Sequence, residues 1–502
     1  MTAVPPLACS FFLALCGVSL LPPLVVALRD GESAGARAFA LPAAAVFAAA
    51  VFAAAAVAFF AHRRLRAASR AVVGGGPAAP NPRAAVAAVG AAWTAVCLFG
   101  AVPLRLSGSF PRFVDALFES TSGFTTTGAT VLADVESVSR SVNLWRCEMH
   151  WLGGMGVIAL AVALVPFLGI GGLRLLNAES TGPEKGKLTA RIMDTARTLW
   201  LLYVGLTALQ TCLLRLCGMT WFESACHAFS TLGTGGFSTR NASLAAFASP
   251  AAEWVCTIFM LVAALNFGVY YRLLARKGEG LRSATEPRAF AAVVAAAAAI
   301  ATVALARAGE PVGRAFRLAA FQVSSIVSTT GFASADFDLW PPAAKMVLFA
   351  LLFVGGCSGS TAGGVKVIRW AVLAKEALAG MRRLLHPRVM WTSRIDGRPA
   401  PEGLAAGVAG FVAAYLALVG AVSLAGAFAG LHPWESFTAA LSMVGNVGPA
   451  FGSLGPAGNY GALSPALKLC HSFAMLAGRL EIFTMFAFLG WLFRFPSVRS
   501  TP

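Results

Sequence analysis

Ten stretches of this chain, near 6–28, 40–61, 84–104, 143–170, 197–217, 251–275, 288–308, 343–371, 403–430 and 464–494, are apolar enough to cross a bilayer. Crossing a hydrocarbon core takes roughly 20 apolar residues in a helix. Inside lipid every backbone N–H and C=O must be paired within the protein, which leaves helices or closed barrels. A barrel would show alternating segments of about ten residues, and none occur. The fold class is therefore an all-α polytopic membrane protein. Only 12% of the 502 residues are charged, against about 25% in soluble domains, and the mean hydropathy is +0.73.

The net charge of +17 would suit nucleic acid, but its distribution does not. Arg63, Arg64, Arg66, Arg70 and Arg83 share one loop, and Arg369, Lys375, Arg382, Arg383, Arg388, Arg394 and Arg398 share another. Basic residues in short loops beside spans mark the cytoplasmic side. The basic loops 63–83, 171–197, 272–288 and 369–402 follow every second span, so both termini are expected in the cytoplasm. The partner implied is a lipid bilayer, the cytoplasmic (inner) membrane, and no nucleic acid. The apolar run from Ala3 to Leu28 has no basic segment before it, which predicts a retained helix rather than a cleaved signal. The 10 cysteines, such as Cys16, Cys97, Cys212 and Cys470, show no metal or disulfide spacing and read as small buried hydrophobes.

Two leading spans are followed by a pattern of span, short segment, span, repeated four times. The short segments lie near 111–130, 219–239, 313–334 and 432–452. Each has an apolar first half and a second half of Ser, Thr and Gly, too short to span. Irregular backbone at membrane depth is tolerated only where protein or a water-filled cavity receives it. These segments are therefore expected to be re-entrant loops entering from the extracytoplasmic side. The domains expected are 1–83 (two helices and a linker) and pore repeats at 84–171, 172–275, 276–371 and 372–502.

The segments align on one glycine as FESTSGFTTTGAT, CHAFSTLGTGGFS, FQVSSIVSTTGFA and TAALSMVGNVGPA. With Gly128, Gly236, Gly331 and Gly448 equivalent, Ser122, Ser230, Ser325 and Ser442 stand six residues earlier. Ala116, Ser224, Ala319 and Ser436 stand twelve earlier, and Thr126, Thr234, Thr329 and Asn446 two earlier. Thirteen earlier lie Asp115, Glu223 and Glu435, with Leu318 in the third repeat. An acid there belongs in the first turn of a pore helix, where it complements the positive end of the dipole. Such loops suit a cation pore because a ring of carbonyl oxygens can replace an ion's hydration shell. Glycine at the tightest position lets the chain present them.

Two further features stand inside apolar spans. Gly355–Gly364 places ten small or polar residues in one of them, so a broken helix facing a cavity is expected; close helix packing through small residues is the alternative. Arg479, in LAGRLEIF, is an intramembrane charge, functional by default, with a snorkelling arginine as the alternative. Glu481 is two residues away and lies on another helix face, so Arg479 needs another partner. His227, in the second pore helix, is expected to be hydrogen-bonded there, and His150 and His471 are isolated. No nucleophile or paired-carboxylate constellation appears, and Gly74–Gly76 lacks the Lys-Ser/Thr of a phosphate loop. The chain is not expected to be an enzyme.

The motifs GFTTTGAT, HAFSTLGTGGFST, STTGFA and NVGPAFG resemble the filter segments of the Trk/Ktr/HKT superfamily of potassium transporters. WLGGMGVIALAVALVPFLGIGG (151–172), GGCSGSTAGGVKVIR (355–369) and the two extra leading helices resemble its TrkH-type membrane subunit. The resemblance implies K+ as the transported ion, with no organic cofactor. It also implies a homodimer and a cytosolic nucleotide-binding regulatory subunit of the TrkA/KtrA kind. Carried over, the backbone carbonyls of Thr126, Thr127, Thr234, Gly235, Thr329, Thr330, Asn446 and Val447 coordinate the ion beside Gly128, Gly236, Gly331 and Gly448. Gly355, Gly356, Ser358, Gly359, Ser360, Gly363 and Gly364 fall in the family's obstructing intramembrane loop. Arg479 resembles its pore-facing arginine, for which carbonyls of that loop are candidate partners. Serine at the first filter glycine goes with sodium selectivity in some plant relatives, so Gly128 favours potassium. Rival readings are a sodium or mixed conductor of the same fold, a membrane-embedded enzyme, and a symporter with two inverted halves. The last would not give four loops of one orientation.

Overall fold

The computed structural model describes residues 16–68, 82–168, 185–274, 284–386 and 394–492. Expectations for the start of the first span, for Arg70 and Gly74–Gly76, and for parts of the other basic loops fall outside them. Helices α1 (Leu21–Arg29) and α2 (Ser33–Ala68) form a leading pair. The first repeat is α3 (Pro82–Leu106), pore helix α4 (Phe113–Phe124) and α5 (Arg140–Leu168). The second is α6 (Lys185–Leu216), pore helix α7 (Trp221–Leu232), α8 (Pro250–Ala264) and α9 (Phe267–Leu274). The third is α10 (Thr285–Arg307), pore helix α11 (Val312–Val327), α12 (Pro342–Leu351) and α13 (Val367–Leu385). The fourth is α14 (Leu404–Phe428), pore helix α15 (Pro433–Gly445), α16 (Pro465–Arg479) and α17 (Ile482–Leu492). A two-stranded hairpin, Arg394–Ile395 with Arg398–Pro399, precedes the fourth repeat.

Among the described residues four helical stretches, in α3, α6, α10 and α14, are each long and apolar enough to cross a membrane, five if the bent pair α16–α17 counts as one. Three spans are interrupted, the 343–371 span where a broken helix is expected and the other two where the sequence reads as continuous. The 251–275 span breaks at Leu265–Asn266, where the Asn266 side chain accepts the Gly268 N–H at 2.7 Å and starts α9. The 343–371 span breaks between α12 and α13, over a longer stretch than Gly355–Gly364. The 464–494 span turns through 113° after Arg479.

Each pore helix packs on the helix that leads into its own repeat, and three also pack on the second helix of the preceding repeat: α4 on α16, α7 on α5, α11 on α8. The fourth instead meets α12 through aromatic rings, Phe349 against Trp434 and Phe437. The small residue twelve before each glycine explains the close approach. Ala116, Ser224, Ala319 and Ser436 are all buried, and a Cβ on Gly426 of α14 would strike Ser436. Small residues let membrane helices draw together where no hydrophobic force drives them. Asp115, Glu223 and Glu435 all fall in first turns, Glu223 as half of a capping box with Thr220. Leu318 does not, because α11 has 16 residues against 12 in α4 and α7 and starts about one turn earlier.

Of the cysteines read as buried, Cys97, Cys147, Cys226, Cys256 and Cys357 are, Cys16, Cys217 and Cys470 are half-buried, and Cys212 is exposed.

Candidate functional site: a four-loop pore filter and the loop beneath it

Every pore helix ends the same way. The N–H of the residue two before the filter glycine bonds back three residues, and the next N–H bonds back five, to the shared serine. These last bonds are Thr127 to Ser122 (2.8 Å), Gly235 to Ser230 (2.8 Å), Thr330 to Ser325 (2.9 Å) and Val447 to Ser442 (3.0 Å). This pair of bonds is a Schellman motif, whose turning residue is left-handed. That residue is Thr126 (φ 53°), Thr234 (φ 54°), Thr329 (φ 56°) or Asn446 (φ 55°). Glycine is the usual occupant, and a β-branched side chain there costs about 1–3 kcal/mol.

Gly128, Gly236, Gly331 and Gly448 are also left-handed, with φ between 80° and 98°. A Cβ on Gly128 would collide with the carbonyl oxygen of Gly235, and one on Gly236 with that of Thr330. A Cβ on Gly331 would collide with the Val447 carbonyl, and one on Gly448 with that of Thr127. The contacts run from the first loop to the second, third, fourth and back to the first. Four loops of one chain thus close a ring in which each glycine abuts a carbonyl of the next. All twelve sequence-selected filter residues take part in this ring or in the turns that enter it. The pore helices point their C-termini, the negative ends of their dipoles, toward it. Outside the ring lies a cavity of ≈ 130 Å³ lined by the four glycines, Arg146, Arg240 and Tyr460. The loops beyond the first and second filter segments are clasped there. Asn241 accepts the Val135 N–H (2.7 Å) and donates to Asp134 (2.8 Å). With the Glu136 N–H, it holds the Asp134 carboxyl below the usual range.

The stretch between α12 and α13 packs against the inner side of this ring. The Gly363 N–H donates to Thr329 Oγ1 at 2.7 Å, and a Cβ on Gly363 would press on Gly445 and Asn446. The loop is anchored on the break in the second repeat. Ala264 O and Ala263 O, left unpaired by the end of α8, accept from Cys357 N–H (2.8 Å) and Thr361 N–H (3.4 Å), and Phe267 N–H donates to Gly359 O (3.1 Å). Gly355 N–H donates to Val365 O (2.9 Å), Val367 N–H to Gly356 O (3.2 Å), and the Ser360 hydroxyl to Cys357 O (2.6 Å). Ser358 N–H donates to Glu286 Oε1 at 2.6 Å, and Gly359 and Gly364 are left-handed. Arg479, 6% exposed, donates to Thr361 O (2.7 Å) and Gly153 O (3.3 Å), and so ties the loop to α5. Glu481 turns away to Arg369, 2.7 Å distant.

His227 is hydrogen-bonded as expected, to Glu223 O and Ser238 Oγ. His150, read as isolated, is not: Nδ1 donates to Gly123 O (2.9 Å), so Nε2 accepts the Phe237 N–H (3.3 Å) across two filter loops. Sequence reasoning also missed Arg146 and Glu119. Their signal was there, since Asn143, Arg146 and His150 fall at helical spacing on one face of α5. Among the described residues no cluster of His, Cys, Asp or Glu could hold a metal ion.

Four re-entrant loops closing one ring inside a helical bundle define the class: a membrane cation pore. Residues 51–489 match the family model described as TrkH, cation transport protein. The Trk system potassium uptake protein TrkH of Halomonas elongata is 38% identical over 397 residues, 78% of this chain and 82% of that one. Its Escherichia coli K12 counterpart is 38% identical over 406 residues, again 78% and 82%. The crystal structure of the potassium transporter TrkH from Vibrio parahaemolyticus superposes with a TM-score of 0.83 at 30% identity, covering 99% of both chains. The chain belongs to the TrkH family of cation transport proteins. It is a transporter, not an enzyme.

Proposed function

We propose that this chain carries potassium into the cytoplasm through the ring formed by its four filter segments. The observation that carries the reading is the closed cycle of glycine-to-carbonyl contacts. Oxygen ligands must surround an ion to replace its water, and a ring with one glycine per loop leaves no side chain in the way. Carbonyls of Thr126, Thr127, Gly128, Thr234, Gly235, Gly236, Thr329, Thr330, Gly331, Asn446, Val447 and Gly448 are the ligands. Potassium is favoured over sodium by glycine at all four positions and by the substrate named for the relatives.

The Gly355–Gly364 stretch acts as the gate, with Arg479 as its latch and as a positive barrier to cations. Support comes from its place under the filter and from its hydrogen bond to Thr329. The hairpin is tied to the gate's anchor, which supports a route for a signal from the cytoplasmic side: Thr285, next to Glu286, donates its N–H to Asp396 of the hairpin at 2.7 Å and accepts the Asp396 N–H at 3.0 Å. A cytosolic nucleotide-binding regulatory subunit docked on these basic loops would move the gate through Glu286. The transporter works as a homodimer in the inner membrane, with both termini cytoplasmic, a reading supported by the basic loops.

The test is growth of a potassium-uptake-deficient cell at limiting potassium, with a regulatory subunit supplied. The chain should rescue growth, and Gly128→Ser should abolish the rescue or shift uptake toward sodium. No rescue by the wild type would sink the reading; rescue indifferent to Gly128→Ser would remove the filter assignment.

A further inference from the structure

The outer edge of the filter rests on a buried ion pair that the repeat pattern does not mark. Glu119 in α4 and Arg146 in α5 meet at 2.8 Å with side chains 0% and 1% exposed. Burying two charges is costly unless their remaining hydrogen-bonding positions are filled, and here most are. Glu119 accepts from Thr130 Oγ1 (2.8 Å) and Val131 N–H (3.0 Å). Arg146 donates to Asn143 Oδ1 (2.9 Å), Thr130 Oγ1 (3.2 Å) and Ser238 O (3.5 Å). Its guanidinium lies 4.2 Å from the centre of the Phe237 ring. Thr130 and Val131 follow Gly128, and Phe237 and Ser238 follow Gly236. One ion pair thus grips two filter loops just outside the ring.

Position explains half of this arrangement. Glu119 stands nine residues before its filter glycine, where the other repeats have His227, Gln322 and Ala439. His227 Nε2 meets Ser238 Oγ at 2.9 Å, and Gln322 Nε2 donates to Phe332 O at 3.3 Å. In three repeats this side chain therefore braces the segment leaving the filter. Only the first uses a charge, and there the partner is charged too: Arg146 lines the outer cavity with all four glycines.

We propose that Glu119 and Arg146 are positioning residues of the filter, and that the Glu119 carboxylate also cancels a guanidinium that would repel cations at the pore mouth. This rests on the pore reading above, and wild-type uptake in the same vesicles tests that reading separately. The experiment is radioactive rubidium uptake, with sodium competition, by the purified full-length chain in liposomes. Glu119→Gln keeps the shape and an acceptor for Val131 N–H but strands the positive charge, so uptake falls about tenfold or more. Glu119→Gln with Arg146→Met removes both charges at similar volume and brings uptake back to several times the single variant. Arg146→Lys keeps the charge without the planar fork, so rubidium-over-sodium preference drops more than total uptake. Wild-type uptake by Glu119→Gln, or a double variant no better than the single, would overturn the electrostatic half. Unchanged ion preference in Arg146→Lys would overturn the positioning half. Should Glu119→Gln not fold, the double variant is read against wild type: uptake within a few-fold of wild type upholds the electrostatic half, and a tenfold loss overturns it.

Discussion

Threonine in a left-handed turn is an expensive choice, and three of the four filter loops make it. Glycine would be the cheaper residue at Thr126, Thr234 and Thr329 by backbone energy alone. Thr329 shows what the hydroxyl does, since it accepts the Gly363 N–H of the loop below. Thr329→Val keeps the shape and strands that buried N–H, a penalty of about 1–3 kcal/mol on the loop's closed position. Rubidium uptake into liposomes without a regulatory subunit should rise several-fold; no change would mean that the bond does not hold the gate. Arg479→Gln should likewise raise uptake more than it alters ion preference, because Arg479 bonds to Thr361 O and Gly153 O and not to the filter glycines. The fourfold serine was legible as a pattern, but its backbone role, accepting at the end of each pore helix, was not, because hydrogen-bond partners are set by φ and not by residue type.

The helices are interrupted where the chemistry needs open backbone. Breaks at Leu265–Asn266, between Leu351 and Val367, and after Arg479 leave carbonyls and N–H groups that helices would have used internally. At membrane depth each must find a partner, and they find one another: α8 ends in carbonyls that receive the loop. The loop was legible from its run of small residues, whereas the break at Asn266 rested on one polar residue in an apolar run. Close packing finishes the arrangement, as at Gly478, where a Cβ would strike Val444 O and crowd Asn446 Oδ1. Gly478→Ala should therefore cost about 1–3 kcal/mol, seen as a lower melting temperature in detergent, and should impair uptake by displacing the fourth loop. An unshifted melt with full uptake would show that α16 can back away.

Across the molecule, four unequal repeats build one ring, so the filter is only approximately fourfold. The third pore helix is longer, the fourth turns on Asn446 instead of threonine, and only the first sets a carboxylate nine residues before its glycine. Yet each glycine touches the next loop's carbonyl, and no link can be altered alone. Alanine at Gly128, Gly236, Gly331 or Gly448 should each abolish growth at limiting potassium to a similar degree. One neutral substitution would open the ring at that link.

Apolar length, basic loops and the recurring Ser and Gly were enough, without coordinates, to set the helical membrane class, the four loops and the position of the turn within each. Those properties follow from local physics, the pairing of backbone in lipid and the conformations a β-carbon resists. The order of contacts around the ring, the seat of the loop on α8, the particular carbonyls that hold Arg479 and the Glu119–Arg146 brace came only from the tertiary structure. Each joins groups far apart in the chain, Gly448 to Thr127 among them, and no periodicity along the sequence encodes which distant carbonyl a backbone will meet.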